Sequence, residues 1–260
     1  MAIGVFDSGI GGLTVFKSIA DSFPEADIYY LGDTARVPYG NKSKETIIRY
    51  SVECGSYLYH NYNIDALVIA CNTASSYAYD VLKKILPIPV VGVVLPGSLS
   101  AVKTTKNNKI GVIGTTATVK SGSYVNAIKN LNPQVEVFQK ACPLLVPLVE
   151  EGWIEGEITE AIVKKYLDDV VDKNIDTLIL GCTHYPVLKD VIKKLYPDIN
   201  VVDSSDAIID FIRETGINLK ENSVRHIFIT DESSSFETLK NLLVGDVKTE
   251  KIELSDLCSL

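Results

Sequence analysis

Residues 63–71 read NIDALVIAC and residues 174–182 read NIDTLILGC, identical at five of nine positions, including Asn63/Asn174, Asp65/Asp176, Leu67/Leu178 and Cys71/Cys182. Each is a short apolar run of strand length bounded by polar residues. Upstream, Ile3-Gly4-Val5 corresponds to Ile110-Gly111-Val112, and 25 residues beyond each begins another β-branched run, at Ile28 and at Val135. Downstream, Lys83-Lys84-Ile85-Leu86-Pro87 echoes Lys193-Lys194-Leu195-Tyr196-Pro197, with the spacing from the cysteine shifted by one. Four anchors in the same order imply an internal duplication.

Strands are expected near 2–6, 27–31, 65–70, 109–113, 134–138, 176–180 and 225–230, with amphipathic helical stretches between them. Such alternation gives an α/β fold whose sheets are mostly parallel, because parallel neighbours need crossover helices. With the duplication, the expectation becomes two pseudo-symmetric α/β domains with the active site in the cleft between them. The natural crossings are near 93–100 and 203–207, and VLPGS (94–98) has the Pro-Gly punctuation of a linker. The tail has no counterpart in the second repeat and is expected to return to the first, giving 1–95 plus 208–260 as one domain and 96–207 as the other.

The 260 residues are 46% hydrophobic and 22% charged, which excludes global disorder. Lys and Arg number 25 against 33 Asp and Glu, a net charge of −8 without long blocks of one sign. That balance argues against a nucleic-acid or membrane-surface partner. No apolar run approaches the roughly 18 residues of a spanning helix, and MAIGVFDSG lacks the basic start of a signal peptide. The chain therefore reads as cytoplasmic. His60, His184 and His226 are scattered without ligand spacing, so no metal is expected. SGIGG (8–12) lacks both the GxGxxG spacing and a GK[ST] ending; its glycines fit a tight strand-to-helix turn better than a nucleotide site.

Five cysteines (54, 71, 142, 182, 258) form no CxxC and fit neither a disulfide framework nor a zinc ribbon. Cys54, Cys142 and Cys258 read as small packing residues. Cys71 and Cys182 differ, because each ends a strand and precedes a hydrogen-bonding pair, Asn72-Thr73 and Thr183-His184. Ligand sites of open α/β sheets lie beyond the carboxyl ends of the strands. A helix starting there is expected to lower a thiol pKa. Two thiols facing one carbon from opposite sides, about 7 Å apart and so too far for a disulfide, could remove a proton from one face and return one to the other.

FDSGIGGL (6–13), GDTARVPYG (32–40), ACNTAS (70–75) and GCTHYP (181–186), with VIGTTATVKSG (112–122) and LVEEG (148–152), resemble the glutamate racemase family over roughly residues 3–210. The resemblance implies a two-base racemase that makes D-glutamate for peptidoglycan, without pyridoxal phosphate, metal or nucleotide, and as a homodimer. It implies Cys71 and Cys182 as the catalytic thiols, with Asp7 and Ser8 on the side of Cys71 and His184 on that of Cys182. Asn72, Thr73 and Thr183 would hold the α-amino and α-carboxylate groups, and the Tyr39-Gly40 turn with Thr116 and Thr118 the side-chain carboxylate. Glu150 lies where the family brings an acid to the catalytic histidine. Some members bind a cell-wall precursor as activator through an N-terminal extension; with the first strand beginning at residue 2 or 3, no such activation is expected here. Three rivals remain open on the residues alone: a racemase of another acid such as aspartate, a two-domain anion-binding protein, and a thiol-redox enzyme.

Overall fold

The computed structural model describes residues 2–214, 223–232 and 234–258. Among the described residues, ten strands form two sheets in which every pairing is parallel. The first sheet contains β1 (Ala2–Asp7), β2 (Asp27–Gly32), β3 (Ala66–Ile69), β4 (Val90–Gly92), β9 (Arg225–Ile229) and β10 (Lys248–Lys251), in the order β10-β9-β2-β1-β3-β4. The second contains β5 (Lys109–Gly114), β6 (Glu136–Ala141), β7 (Thr177–Gly181) and β8 (Asn200–Asp203), in the order β6-β5-β7-β8. The order β2-β1-β3-β4 is thus repeated as β6-β5-β7-β8, a pseudo-symmetric α/β arrangement.

The repeated Asn-Ile-Asp has a structural reason. Asn63 and Asn174 both take the left-handed conformation, with φ of 45° and 61°, which asparagine tolerates better than most residues. That turn delivers Ile64 and Ile175 into notches left by Gly4 and Gly111. A Cβ on either glycine would lie 2.5 or 2.6 Å from the isoleucine Cδ1. Asp65 accepts the Ala2 amide at 2.8 Å, while Asp176 accepts the Lys106 and Asn107 amides at 2.7 and 2.8 Å and the Thr105 hydroxyl at 2.7 Å. In both halves the aspartate ties the chain near the first strand to the third.

Side chains alternate across each sheet. Val5, Tyr30 and Val68 of the first sheet share one continuous core with Ile113, Leu178 and Leu180 of the second, whereas Phe6, Leu67 and Ile69 face a separate cluster and Ile110, Val112 and Ile179 a third. Burying each such side chain contributes about 1.5–3 kcal/mol, so the shared cluster resists separation of the halves near their crossings.

Several sequence expectations need correction. VLPGS is no linker: Val94–Thr104 is a helix with Pro96 in its first turn, where the missing N–H has no intrahelical partner to lose. The second crossing likewise begins the helix Ser204–Glu214, and the two helices pack on each other. β4, β8 and β10 were not anticipated, being three or four residues long. β10, KTEK, is an edge strand without an apolar pattern. β6 lies two residues beyond the expected start at 134 and is mostly half-buried, so burial adds little to its pattern. In the tail, β9 pairs with β2 and β10 with β9, and the helix Ser234–Leu243 connects them. No described helix is long and apolar enough to cross a membrane.

Candidate active site

The carboxyl ends of β1, β3, β5 and β7 deliver Ser8, Cys71, Thr115 and Cys182 to one cavity between the sheets, also lined by Tyr39, Gly40, Asn72, Thr73, Thr183 and His184. Its free volume is about 20 Å³, far below the ~300 Å³ at which ordinary ligand pockets begin, so the cavity is nearly closed in this conformation. Loops of the first half touch the second very closely here. A Cβ on Gly11 would lie 2.7 Å from His184 Nδ1, and one on Gly40 would lie 2.6 Å from Thr115 Cβ. These glycines are required by close approach.

Cys71 is the N-cap of the helix Asn72–Ile85: its sulfur accepts the Ala74 amide and its thiol donates to Ser8 Oγ, both at 3.4 Å. Contrary to the expected helix-dipole effect, the Cys71 thiol is pushed up to about 12, by burial first and then by the charge of Asp7. Desolvation outweighs the helix terminus. No α-helix starts at Cys182; one 3₁₀ turn, Tyr185–Leu188, precedes the helix Lys189–Leu195. Cys182 Sγ instead faces His184 Nδ1 at 3.8 Å, and His184 Nε2 meets Glu150 Oε1 at 3.1 Å. Burial works against the imidazolium, but hydrogen bonds to Cys182 and Glu150 prevail and raise His184 to about 10.

Asp7 is fully buried and lies behind the lining. It accepts the Gly9 amide at 2.9 Å and the Thr183 hydroxyl at 3.3 Å, and burial raises its pKa against the opposing charge of His184. Thr73, Thr115 and Thr118 form a hydroxyl triangle with sides of 2.9, 3.1 and 3.0 Å across the two halves. Asn72 Oδ1 accepts from Tyr124 at 2.5 Å, and its buried Nδ2 has no partner among the described residues.

Three expectations shift. Neither Thr116, which is half-buried, nor Thr118, which is fully buried, lines the cavity; Thr115 does, being the N-cap whose side chain turns back to the Thr118 amide at 3.2 Å. Tyr39 lines the cavity, but its hydroxyl donates to Asp33, so it offers no phenol there. Asp33 itself was missed, together with Arg36 at 2.7 Å and Thr230 at 3.0 Å, which brace the 33–41 loop from beneath. Tyr124 was missed as well, although it lies two residues beyond the end of the VIGTTATVKSG motif. Cys54 and Cys142 are free and buried; the side chain of Cys258 lies outside the described residues. Among the described residues no group of three or more His, Cys, Asp or Glu could hold a metal ion.

A doubled parallel fold with one thiol per half at a shared cavity suits acid–base chemistry on the two faces of one carbon. The family model for Asp/Glu/Hydantoin racemase matches residues 3–212, and the chain belongs to that family. Within it, the chain is 70% identical, over the full length of both, to the glutamate racemase of Sulfurihydrogenibium sp. (strain YO3AOP1). Among solved structures it superposes on a glutamate racemase isoform of Bacillus anthracis with a TM-score of 0.92, at 38% identity over 97% of each chain. The glutamate racemase of Francisella tularensis in complex with D-glutamate gives 0.90, at 37% identity over 97% of each.

Proposed function

We propose that the chain is a glutamate racemase, interconverting L- and D-glutamate by a two-base route with no pyridoxal phosphate, metal or nucleotide, and so supplies D-glutamate for peptidoglycan. The observation that carries the reading is that the two cysteines ending equivalent strands of a duplicated fold open into one small cavity. One sulfur, as thiolate, takes the α-proton; the electron pair passes into the α-carboxylate; the opposite thiol then delivers its own proton to the other face. Exchanging the two protonation states runs the reverse reaction.

The surroundings support distinct roles. Cys71, with its pKa near 12, suits the partner that holds a proton to donate, and the His184 imidazolium beside Cys182 can balance a thiolate there. Glu150 orients and charges His184, while Asp7, behind Ser8 and Thr183, balances charge between the two sides. The unpartnered Nδ2 of Asn72, with Thr73 and Thr183, suits the α-carboxylate and α-amino groups. The Tyr39-Gly40 backbone and the Thr115–Thr118 pair suit the side-chain carboxylate. Residues 1–95 with 208–260 and residues 96–207 are taken as the two bodies that close on the substrate, a division supported by the pairing of β9 with β2 and the packing of the helix Val94–Thr104 on β7 and β8. The family resemblance supports a homodimer in the cytoplasm, for which sedimentation should give twice the chain mass.

Reduced protein incubated with L-glutamate in deuterated buffer should lose optical rotation and gain α-deuterium together, with aspartate much slower. Folded protein with free thiols that changes neither would sink the reading and favour an anion-binding protein.

A further inference from the structure

Tyr124, on the helix Ser123–Leu131, is fully buried, and its hydroxyl crosses between the halves to Asn72 Oδ1 at 2.5 Å. Asn72 directly follows Cys71 and lines the cavity. On its other side the ring meets the residue before Cys182: a Cβ on Gly181 would lie 3.2 Å from Tyr124 Cε2. A Cβ on Gly97, in the crossing helix, would lie 3.5 Å from both Cε1 and the hydroxyl oxygen. One side chain thus touches the crossing, the strand that carries the second thiol and the residue beside the first.

Resting on the racemase reading, we propose that Tyr124 is a positioning residue that fixes the Asn72 carboxamide so that Nδ2 faces the carboxylate of the substrate. With Oδ1 held by the phenol, the carboxamide presents a donor, and that donor is buried without a partner among the described residues. A buried amide N–H left unmatched is costly, and a bound carboxylate would satisfy it. Burial raises the tyrosine pKa, so the phenol keeps the proton it donates. Because Tyr124 and Asn72 belong to opposite halves, the donor is aligned only when the halves are in register.

Tyr124→Phe keeps the ring and removes the hydroxyl. A donor lost equally from ground and transition states raises KM while sparing kcat, so KM for both enantiomers should rise ~10-fold with kcat within about twofold. In an Asn72→Ala background the same change should add less than about twofold, because the group it aligns is gone. An unchanged KM, or an equal effect in both backgrounds, would overturn the proposal and leave Tyr124 a packing residue. Asn72→Asp gives an independent arm: it still accepts the phenol but replaces the donor with a charge, and a wild-type KM in that variant would also overturn it. Failure of the wild-type protein to racemise would instead count against the racemase reading.

Discussion

Cys71 and Cys182 end equivalent strands, yet one sulfur sits on a helix N-terminus with Ser8 while the other faces a histidine held by an acid. The scaffold around them is far more alike. Both asparagines are left-handed, both isoleucines fill a glycine notch, and both aspartates tie down the start of their half. The duplication has preserved what folds each half and let diverge what lines the cavity. An amino acid carries different groups on its α-carbon, so a site with true twofold symmetry would leave a donor or acceptor mismatched on one side.

The sharpest test of this contrast is to remove the sulfurs one at a time. Cys71→Ser and Cys182→Ser should each slow racemisation by ~10²–10⁴-fold, as expected for loss of a positioned acid or base. Each should also impair α-proton exchange from one enantiomer more than from the other, which exchange in deuterated buffer reads directly. Equal losses in both directions would mean that the two sides are not separate bases.

A second test addresses the histidine side alone. His184 titrates near 10 in the folded chain against an ordinary 6.5. Its stabilising contribution is therefore complete below about 6.5 and is lost as pH rises through about 10. Activity should fall over the same alkaline limb. Glu150→Gln removes one of the two groups that raise His184, so the limb should move to lower pH; for a shift of about one pH unit, activity should drop about twofold at pH 9 and approach a ~10-fold drop at pH 11. Asp7→Asn should move that limb less, since Asp7 acts on His184 through charge alone whereas Glu150 also hydrogen-bonds the ring. A pH–rate profile of the two variants separates the cases.

The likeness of the scaffolds can be tested by stability. Gly4→Ala and Gly111→Ala press a methyl group into Ile64 and Ile175 at almost the same distance, and each should cost about 1–3 kcal/mol in denaturant unfolding. Unequal costs would show that the two notches differ in how far they can yield. The smallest effect is expected between two neighbouring threonines. Thr115→Ala removes a helix cap and one corner of the hydroxyl triangle, costing about 0.5–2 kcal/mol, whereas Thr116→Ala should stay within about 0.5 kcal/mol. Thermal denaturation and KM for glutamate check both.

Much of the fold was legible in the sequence because it is written in local patterns. Seven β-branched runs and their crossover spacing gave the parallel α/β class, and the Asn-Ile-Asp repeat gave the duplication. The strands that were missed are short or polar, and Val94–Thr104 was misread because proline in a first helical turn looks like a linker in one dimension. At the site, Cys71, Asn72, Thr73, Cys182, Thr183 and His184 were readable because each motif carries several polar residues immediately after a strand. Thr115 was confused with Thr116 because adjacent threonines carry no periodic signal to say which one caps. Tyr124 escaped because its partner, Asn72, lies far away in sequence.

By itself the sequence determined the alternation of elements, the two-fold repeat and the residue types available for proton transfer, since strand and helix periodicities and turn chemistry act over a few residues. Only the tertiary structure decided what surrounds each thiol. Burial, the charge of Asp7 behind Cys71, the Glu150–His184 pair beside Cys182 and the reach of Tyr124 across the halves depend on distances between segments that the chain brings together only when both sheets have packed.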